Sequence, residues 1–172
     1  RWNWRCSIGD SGRAEADGTM PGMSHRPRPQ HRDSYHHFSP ITTRWMDNDA
    51  YGHVNNVVYY SYFDTVVNEW LIREGLLDVE KGERIGLVVE TGCHYFEPLT
   101  YPETVTAAMR VAHVGNSSVR YEIALFGEGS DRAAAQGHFV HVYVDRATRR
   151  PAPLPEEWRR RLASLMAAGG RP

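Results

Sequence analysis

The chain has 172 residues, 41% of them hydrophobic and 11% aromatic, which suits one domain with a real core and some tail. A formal net charge of -1 gives no electrostatic case for nucleic acid, and no apolar run approaches the roughly 20 residues of a membrane span. Two cysteines, Cys6 and Cys93, are too few for a disulfide framework and read as free thiols in a reducing cytoplasm.

Residues 1–37 read as a flexible tail and residues 38–172 as the folded domain. The tail holds Pro, Gly, Ser, Arg and acids without a sustained apolar period, so it cannot bury enough surface to fold alone. Trp2 and Trp4 are its exceptions and could dock on the body. No secretory h-region follows the N-terminus, so export is not expected. Position 1 is not Met, and Met20 and Met23 lie inside the tail, so the natural start is expected at one of these two. His25, His31, His36 and His37 read as tail histidines, not as metal ligands.

Ile41 to Trp45 reads as a strand. It leads into Asp47-Asn48-Asp49-Ala50-Tyr51-Gly52-His53-Val54-Asn55-Asn56. From Asn55 to Glu74 the pattern is helical, with Tyr59, Tyr62, Phe63, Val66, Val67, Trp70 and Leu71 on one face. Twenty residues would make a helix about 30 Å long. Its β-branched and aromatic residues are mediocre helix formers, so packing must hold it and it should be central. Gly75 is the expected stop. A polar cluster at the entry to a buried helix is where chemistry is to be sought.

Strand-like stretches follow at 84–97, 103–113, 118–126 and 132–145, separated by turn signals such as Gly115-Asn116-Ser117. Val105, Ala107, Met109 and Val111 alternate with Thr106, Ala108 and Arg110, the period of a half-buried strand. Phe139 to Val144 is apolar on both faces and suggests a central strand or one covered by a partner. Pro151, Pro153 and Pro155 break the sheet, and a short helix follows with Trp158, Leu162, Leu165 and Met166 as its stripe. The class is therefore α+β. One helix covers a five-stranded antiparallel sheet only by lying along its concave face, so the sheet is expected to wrap a long central helix. Its exposed edges would invite pairing with a second copy.

The run Trp45-x-Asp47-x-Asp49-x-x-Gly52-His53-Val54-Asn55-Asn56-x-x-Tyr59-x-x-Tyr62-Phe63 resembles the hotdog-fold acyl-CoA thioesterases of the 4-hydroxybenzoyl-CoA thioesterase type. Tyr95-x-x-Pro98 and Val114-Gly115-x-Ser117-Ser118 resemble the same family, and the likeness spans about Phe38 to Arg146. The resemblance implies a hotdog fold and Asp49 as the catalytic carboxylate. It also implies a backbone N–H near Asn56 and Val57 that polarises the thioester carbonyl. A run in the plant acyl-carrier-protein thioesterases aligns its His with His53, but its Asn position holds Tyr51 here. His94 stands where relatives often carry an acid, and Glu90 where many carry a base. The implied catalytic pair is Asp49 and His53. The implied substrate contacts are Asn55, Asn56, Val57 and Tyr59, with Tyr59 lining an acyl pocket. No cofactor and no metal is expected.

Thioester hydrolysis needs little, because the thiolate is a good leaving group. A helix N-terminus can polarise the carbonyl, and a carboxylate can act as base for water or as direct nucleophile. Structural readings stand beside these. Asp47 and Asp49 can cap and turn the chain, Asn55 is a good cap, and His53 either orients the loop or helps position Asp49 or water. A calcium loop on Asp47-x-Asp49-x-x-Gly52 fails at Tyr51 and at Val58, where the bidentate Glu belongs. His138 and His141 fall on opposite faces of a strand, which removes a shared metal. The runs Arg146, Arg149, Arg150 and Arg159 to Arg161 are either phosphate contacts or solvated faces. The expectation is a cytoplasmic acyl-CoA or acyl-carrier-protein thioesterase, a homodimer or homotetramer with its site at the subunit interface, without nucleic acid or membrane partners. A non-catalytic acyl-CoA-binding hotdog module is the alternative, and a hotdog dehydratase is disfavoured by the His53-Val54-Asn55-Asn56 run.

Overall fold

Period-two alternation and tight turns fold the second half of the chain into antiparallel strands. The computed structural model describes residues 27–166; Trp2, Trp4, Cys6, Met20, Met23 and His25 lie outside the described residues. The strands are β1 (His37–Thr42), β2 (Arg84–Tyr95), β3 (Thr104–Val114), β4 (Ser118–Phe126) and β5 (Ala135–Asp145). Two helices, α1 (Val58–Arg73) and α2 (Glu156–Ala163), complete the body. The sheet order is β1-β3-β4-β5-β2, and every pairing is antiparallel. β5, with apolar residues on both faces, lies inside the sheet as its pattern suggests, and β1 and β2 form the two edges.

α1 packs its apolar stripe against one sheet face. Phe63, Val66 and Val67 are fully buried among Val105, Met109, Ile123 and Leu125 of that face. Phe63 approaches β5 so closely that a Cβ on Gly137 would lie 2.6 Å from its ring; only glycine permits that approach. Tyr59, Tyr62, Trp70 and Leu71 complete the buried stripe, so the face assigned from periodicity is the observed one. The helix has 16 residues, not the twenty expected. The Asn55 side chain accepts the Val57 N–H at 3.1 Å, and Asn55 O accepts the Val58 N–H at 2.9 Å. These bonds curl residues 55–57 into a turn ahead of the first helical residue. At the other end Gly75 adopts φ +69, and Leu76 N–H reaches back to Leu71 O, the expected glycine stop.

Two boundaries differ from expectation. β1 lies earlier than the strand expected at Ile41 to Trp45. There Asp47 accepts both the Arg44 backbone N–H and its guanidinium and bends residues 45–47 into a 3-10 turn. The segment before β1, expected as tail, is bonded to the sheet from residue 30 onward. Ala133 N–H bonds Gln30 O, Arg32 N–H bonds Asp131 O, and His36 N–H bonds Met109 O. Tyr35 is buried against Phe126; His31 and His36 lie exposed on this bonded segment, and half-buried His37 opens β1. α2 docks Leu162 into the core, and Leu165 just beyond its end follows, with Trp158 edge-on to Tyr143. Among the described residues, no helix is long and apolar enough to cross a membrane.

Candidate active site

The chain from Asp47 to Val57 and the chain from Tyr95 to Tyr101 are laced to one another beside the start of α1. Val54 N–H bonds Leu99 O at 2.8 Å, Thr100 Oγ1 donates to Gly52 O at 2.8 Å, and Tyr101 N–H bonds Asn48 Oδ1 at 3.1 Å. Nearest the helix, the Tyr95 hydroxyl donates to Asn56 O at 3.1 Å. Between the two segments lies a crevice of about 260 Å³ lined by His53, Val54, Asn56, Tyr59, Tyr95, Phe96, Glu97 and Pro98.

The two aspartates of the loop have different surroundings. Asp47 is 1% exposed and wholly engaged. Besides Arg44 it accepts the Tyr62 hydroxyl at 2.7 Å, and its carbonyl accepts Asn55 N–H. Burial alone would raise its pKa; the hydrogen bonds from Arg44 and Tyr62 outweigh that and hold it below the usual carboxylate value. Asp47 is structural, as weighed from the sequence. Asp49 is half-buried. Its Oδ1 accepts the N–H groups of Tyr51 at 2.8 Å and His53 at 3.4 Å, and its N–H bonds His53 O. Among the described residues its Oδ2 has no partner. Gly52 supplies the φ of +80 that this turn requires. Asp49 does not itself line the crevice; it is joined to it through His53, and its negative charge reaches Tyr59.

The helix entrance offers several free donors: among the described residues the N–H groups of Asn56, Tyr59 and Tyr60 have no hydrogen-bond partner. Val57 N–H is taken by the Asn55 side chain and Val58 N–H by Asn55 O. Among the described residues the Asn56 N–H has no hydrogen-bond partner, and Asn56 lines the crevice. Of the expected contacts, His53, Asn56 and Tyr59 meet there. Asn55 stands behind them as a turn-former, and Val57 is 64% exposed outside the lining. Tyr59 is buried, accepts Leu99 N–H at 3.4 Å and meets the Tyr95 ring edge-on at 5.0 Å.

The wall formed by Tyr95, Phe96, Glu97 and Pro98 received no site role from sequence. The Tyr95-x-x-Pro98 spacing was visible, but its pairing with Asn56, 39 positions away, was not. Cys93 is no rival nucleophile, since burial pushes its thiol up to about 11. Three of the six arginines in the two runs are engaged by the fold. Arg146 bonds the carbonyls of Asp78, Val79, Glu80 and Gly82, Arg159 those of Gly115 and Asn116, and Arg161 pairs with Glu74. His138 pairs with Glu90 on one sheet face while His141 is buried on the other. Among the described residues, no three His, Cys, Asp or Glu side chains converge to hold a metal ion.

Comparison with known proteins adds to this geometry. A family model described as the thioesterase-like superfamily matches residues 43–162. The chain is similar to the PA5185 protein from Pseudomonas aeruginosa strain PAO1, at 55% identity and a TM-score of 0.79, covering 83% of this chain and 99% of that one. It is similar to a thioesterase from Thermus thermophilus solved in complex with coenzyme A and Zn, at 31% identity and a TM-score of 0.67, covering 81% of this chain and 98% of that one. A 1,4-dihydroxy-2-naphthoyl-CoA thioesterase from Synechocystis, at 18% identity and a TM-score of 0.67 over 74% of this chain and 96% of that one, shares the fold.

Proposed function

The chain belongs to the thioesterase-like superfamily and is a thioester hydrolase; on that premise we propose that it cleaves an acyl-coenzyme A to a free carboxylic acid and the coenzyme's thiol. The observation that carries the site assignment is the unpartnered Asn56 N–H in a crevice walled by Tyr59 and Tyr95. The similarity to a thioesterase solved with coenzyme A supports the choice of thiol carrier.

In this mechanism the acyl carbonyl lies in the crevice with its oxygen on the Asn56 N–H, at the positive end of α1. As the carbonyl carbon becomes tetrahedral, negative charge gathers on that oxygen and the hydrogen bond strengthens. Asp49 supplies the nucleophile in one of two ways. It takes a proton from a water that attacks the carbon, or it attacks directly to form a mixed anhydride that water then hydrolyses. Either way the C–S bond breaks, the thiolate leaves and is protonated by solvent. The turn N–H groups of Tyr51 and His53 hold Asp49 Oδ1 fixed and leave Oδ2 for this work. His53, exposed at the crevice, orders the attacking water.

The active assembly in this reading is a homodimer formed along the outer edge of β2, which no other strand covers among the described residues. The half-buried free Cys93 fits a reducing, cytoplasmic setting.

Free thiol released from a panel of acyl-CoA substrates is the test. Wild type should turn over at least one member, and Asp49→Asn should lower kcat by about a hundredfold or more. An active Asp49→Asn variant would remove Asp49 from the mechanism. Binding without release from any substrate would make the protein an acyl-CoA binder.

A further inference from the structure

Asn56 is held from two sides. The peptide before it is fixed by its carbonyl, since Asn55 O accepts Val58 N–H at 2.9 Å. The peptide after it is fixed by its own carbonyl, since Asn56 O accepts the Tyr95 hydroxyl at 3.1 Å. The Asn56 N–H lies in the first of these planar peptides, antiparallel to the Asn55 carbonyl, and the second anchor restrains it through the Asn56 torsions. Releasing the second lets the first peptide rock about its single remaining bond.

Tyr95 is held in place by the sheet, although it is 38% exposed. It closes β2, where it pairs with Ala135 of β5. The next two residues, Phe96 and Glu97, both give their N–H groups to Ala134 O, so the strand end cannot fray. The ring stands edge-on to Tyr59, with centroids 5.0 Å apart and planes at 82°, and Tyr59 is itself tied to Leu99. A phenol held by its ring loses little freedom when its hydroxyl bonds a carbonyl. The sheet thereby ties the helix entrance from across the crevice, and the bond restrains the exposed Asn56 on the side that carries its carbonyl.

We propose that Tyr95 is a positioning residue for thioester hydrolysis: by bonding the Asn56 carbonyl, its hydroxyl aims the Asn56 N–H at the oxygen of the bound acyl group. The proposal rests on the assignment of Asn56 as the polarising donor. It gives Tyr95 no proton to transfer. Tyr95 is 38% exposed, and the partial burial that remains pushes its hydroxyl above the ordinary tyrosine value, so it stays protonated near neutral pH.

Tyr95→Phe keeps the ring, the crevice wall and the contact with Tyr59, and removes only the O–H. Two measurements on the full chain decide the matter. Steady-state kinetics on an acyl-CoA that wild type hydrolyses should show kcat lowered about five- to tenfold with KM unchanged. Amide hydrogen exchange resolved at Asn56 should be faster in the variant, with the melting temperature unchanged. An unaltered kcat, or a fall in kcat matched by a lower melting temperature and a raised KM, would overturn the positioning role. If wild type hydrolyses no acyl-CoA, the proposed function fails by itself. Exchange at Asn56 then still decides whether Tyr95 orders that residue, and unaltered exchange overturns it.

Discussion

His141 is a polar ring in an apolar box. It is 3% exposed, and neither ring nitrogen has a hydrogen-bond partner among the described residues. Phe139, Tyr121 and Tyr143 surround it, a Cβ on Gly86 of β2 would lie 3.0 Å from its Nδ1, and Asp64 of α1 is an acid whose charge acts on it. Burial lowers its pKa to about 4, with Asp64 only partly offsetting it. The unfolded chain therefore takes up this proton near pH 6.5 and the folded chain only near pH 4. Between those values the unfolded state binds more protons, so stability falls as pH falls through that window. The loss from this one group is on the order of 3 kcal/mol by pH 4. His141→Phe should flatten the acid limb of a urea-denaturation series run from pH 7 to pH 4. Half-buried His37, also lowered chiefly by burial, should leave a smaller slope of the same sign. An unchanged slope in His141→Phe would show that the ring is solvated in the folded state.

At the scale of elements, the tie that sets the loop from Asp47 to Asn56 on the helix is Asp47. It joins the 3-10 turn after β1 to α1 through the Tyr62 hydroxyl, and to the helix entrance through Asn55 N–H. Asp47→Asn cannot hold the Arg44 guanidinium and the Tyr62 hydroxyl in the same way. It should cost about 2–3 kcal/mol in chemical denaturation, and Tyr62→Phe about half as much. Equal stability of Asp47→Asn and wild type would reject the tie. How legible these elements were follows from the range of the forces that make them. The buried stripe of α1, the Gly75 stop and the strands from Arg84 onward follow from local periodicity and local turn chemistry, and their residues appear where the sequence puts them. The early end of β1 and the short entrance to α1 do not. Both depend on side chains bonding backbone, Asp47 to Arg44 and Asn55 to Val57, in competition with strand and helix. The packed segment at residues 30–36 depends on β3 and on the β4–β5 connection, about a hundred positions downstream. The far wall of the crevice was illegible for the same reason: Tyr95 acquires its place from sheet order, which no local pattern encodes.

At the scale of the whole molecule, the unfinished surface is the β2 edge. β2 bonds β5 on one side, and among the described residues nothing pairs with the other. Leu87, Val88 and Val89 along it are 40%, 47% and 61% exposed, and the register shifts between Val88 and Glu90, which makes Val89 the extra residue of a bulge. A long apolar edge at the rim of a sheet normally carries lysine or proline to prevent pairing; this one carries neither. A second copy running antiparallel would complete the ladder, bring the valines near the middle of the strand against their own counterparts, and extend the sheet across both subunits. Tyr95 ends the same strand, so pairing there would brace the wall that holds Asn56. Val88→Lys would set two like charges across the two-fold axis, where close pairing costs most. In sedimentation or light scattering the wild type should run as a dimer or a tetramer and Val88→Lys as a smaller species, with thiol release lowered as the wall loosens. A wild-type monomer at micromolar concentration would remove the subunit contact, and a Val88→Lys variant of unaltered mass would place it elsewhere.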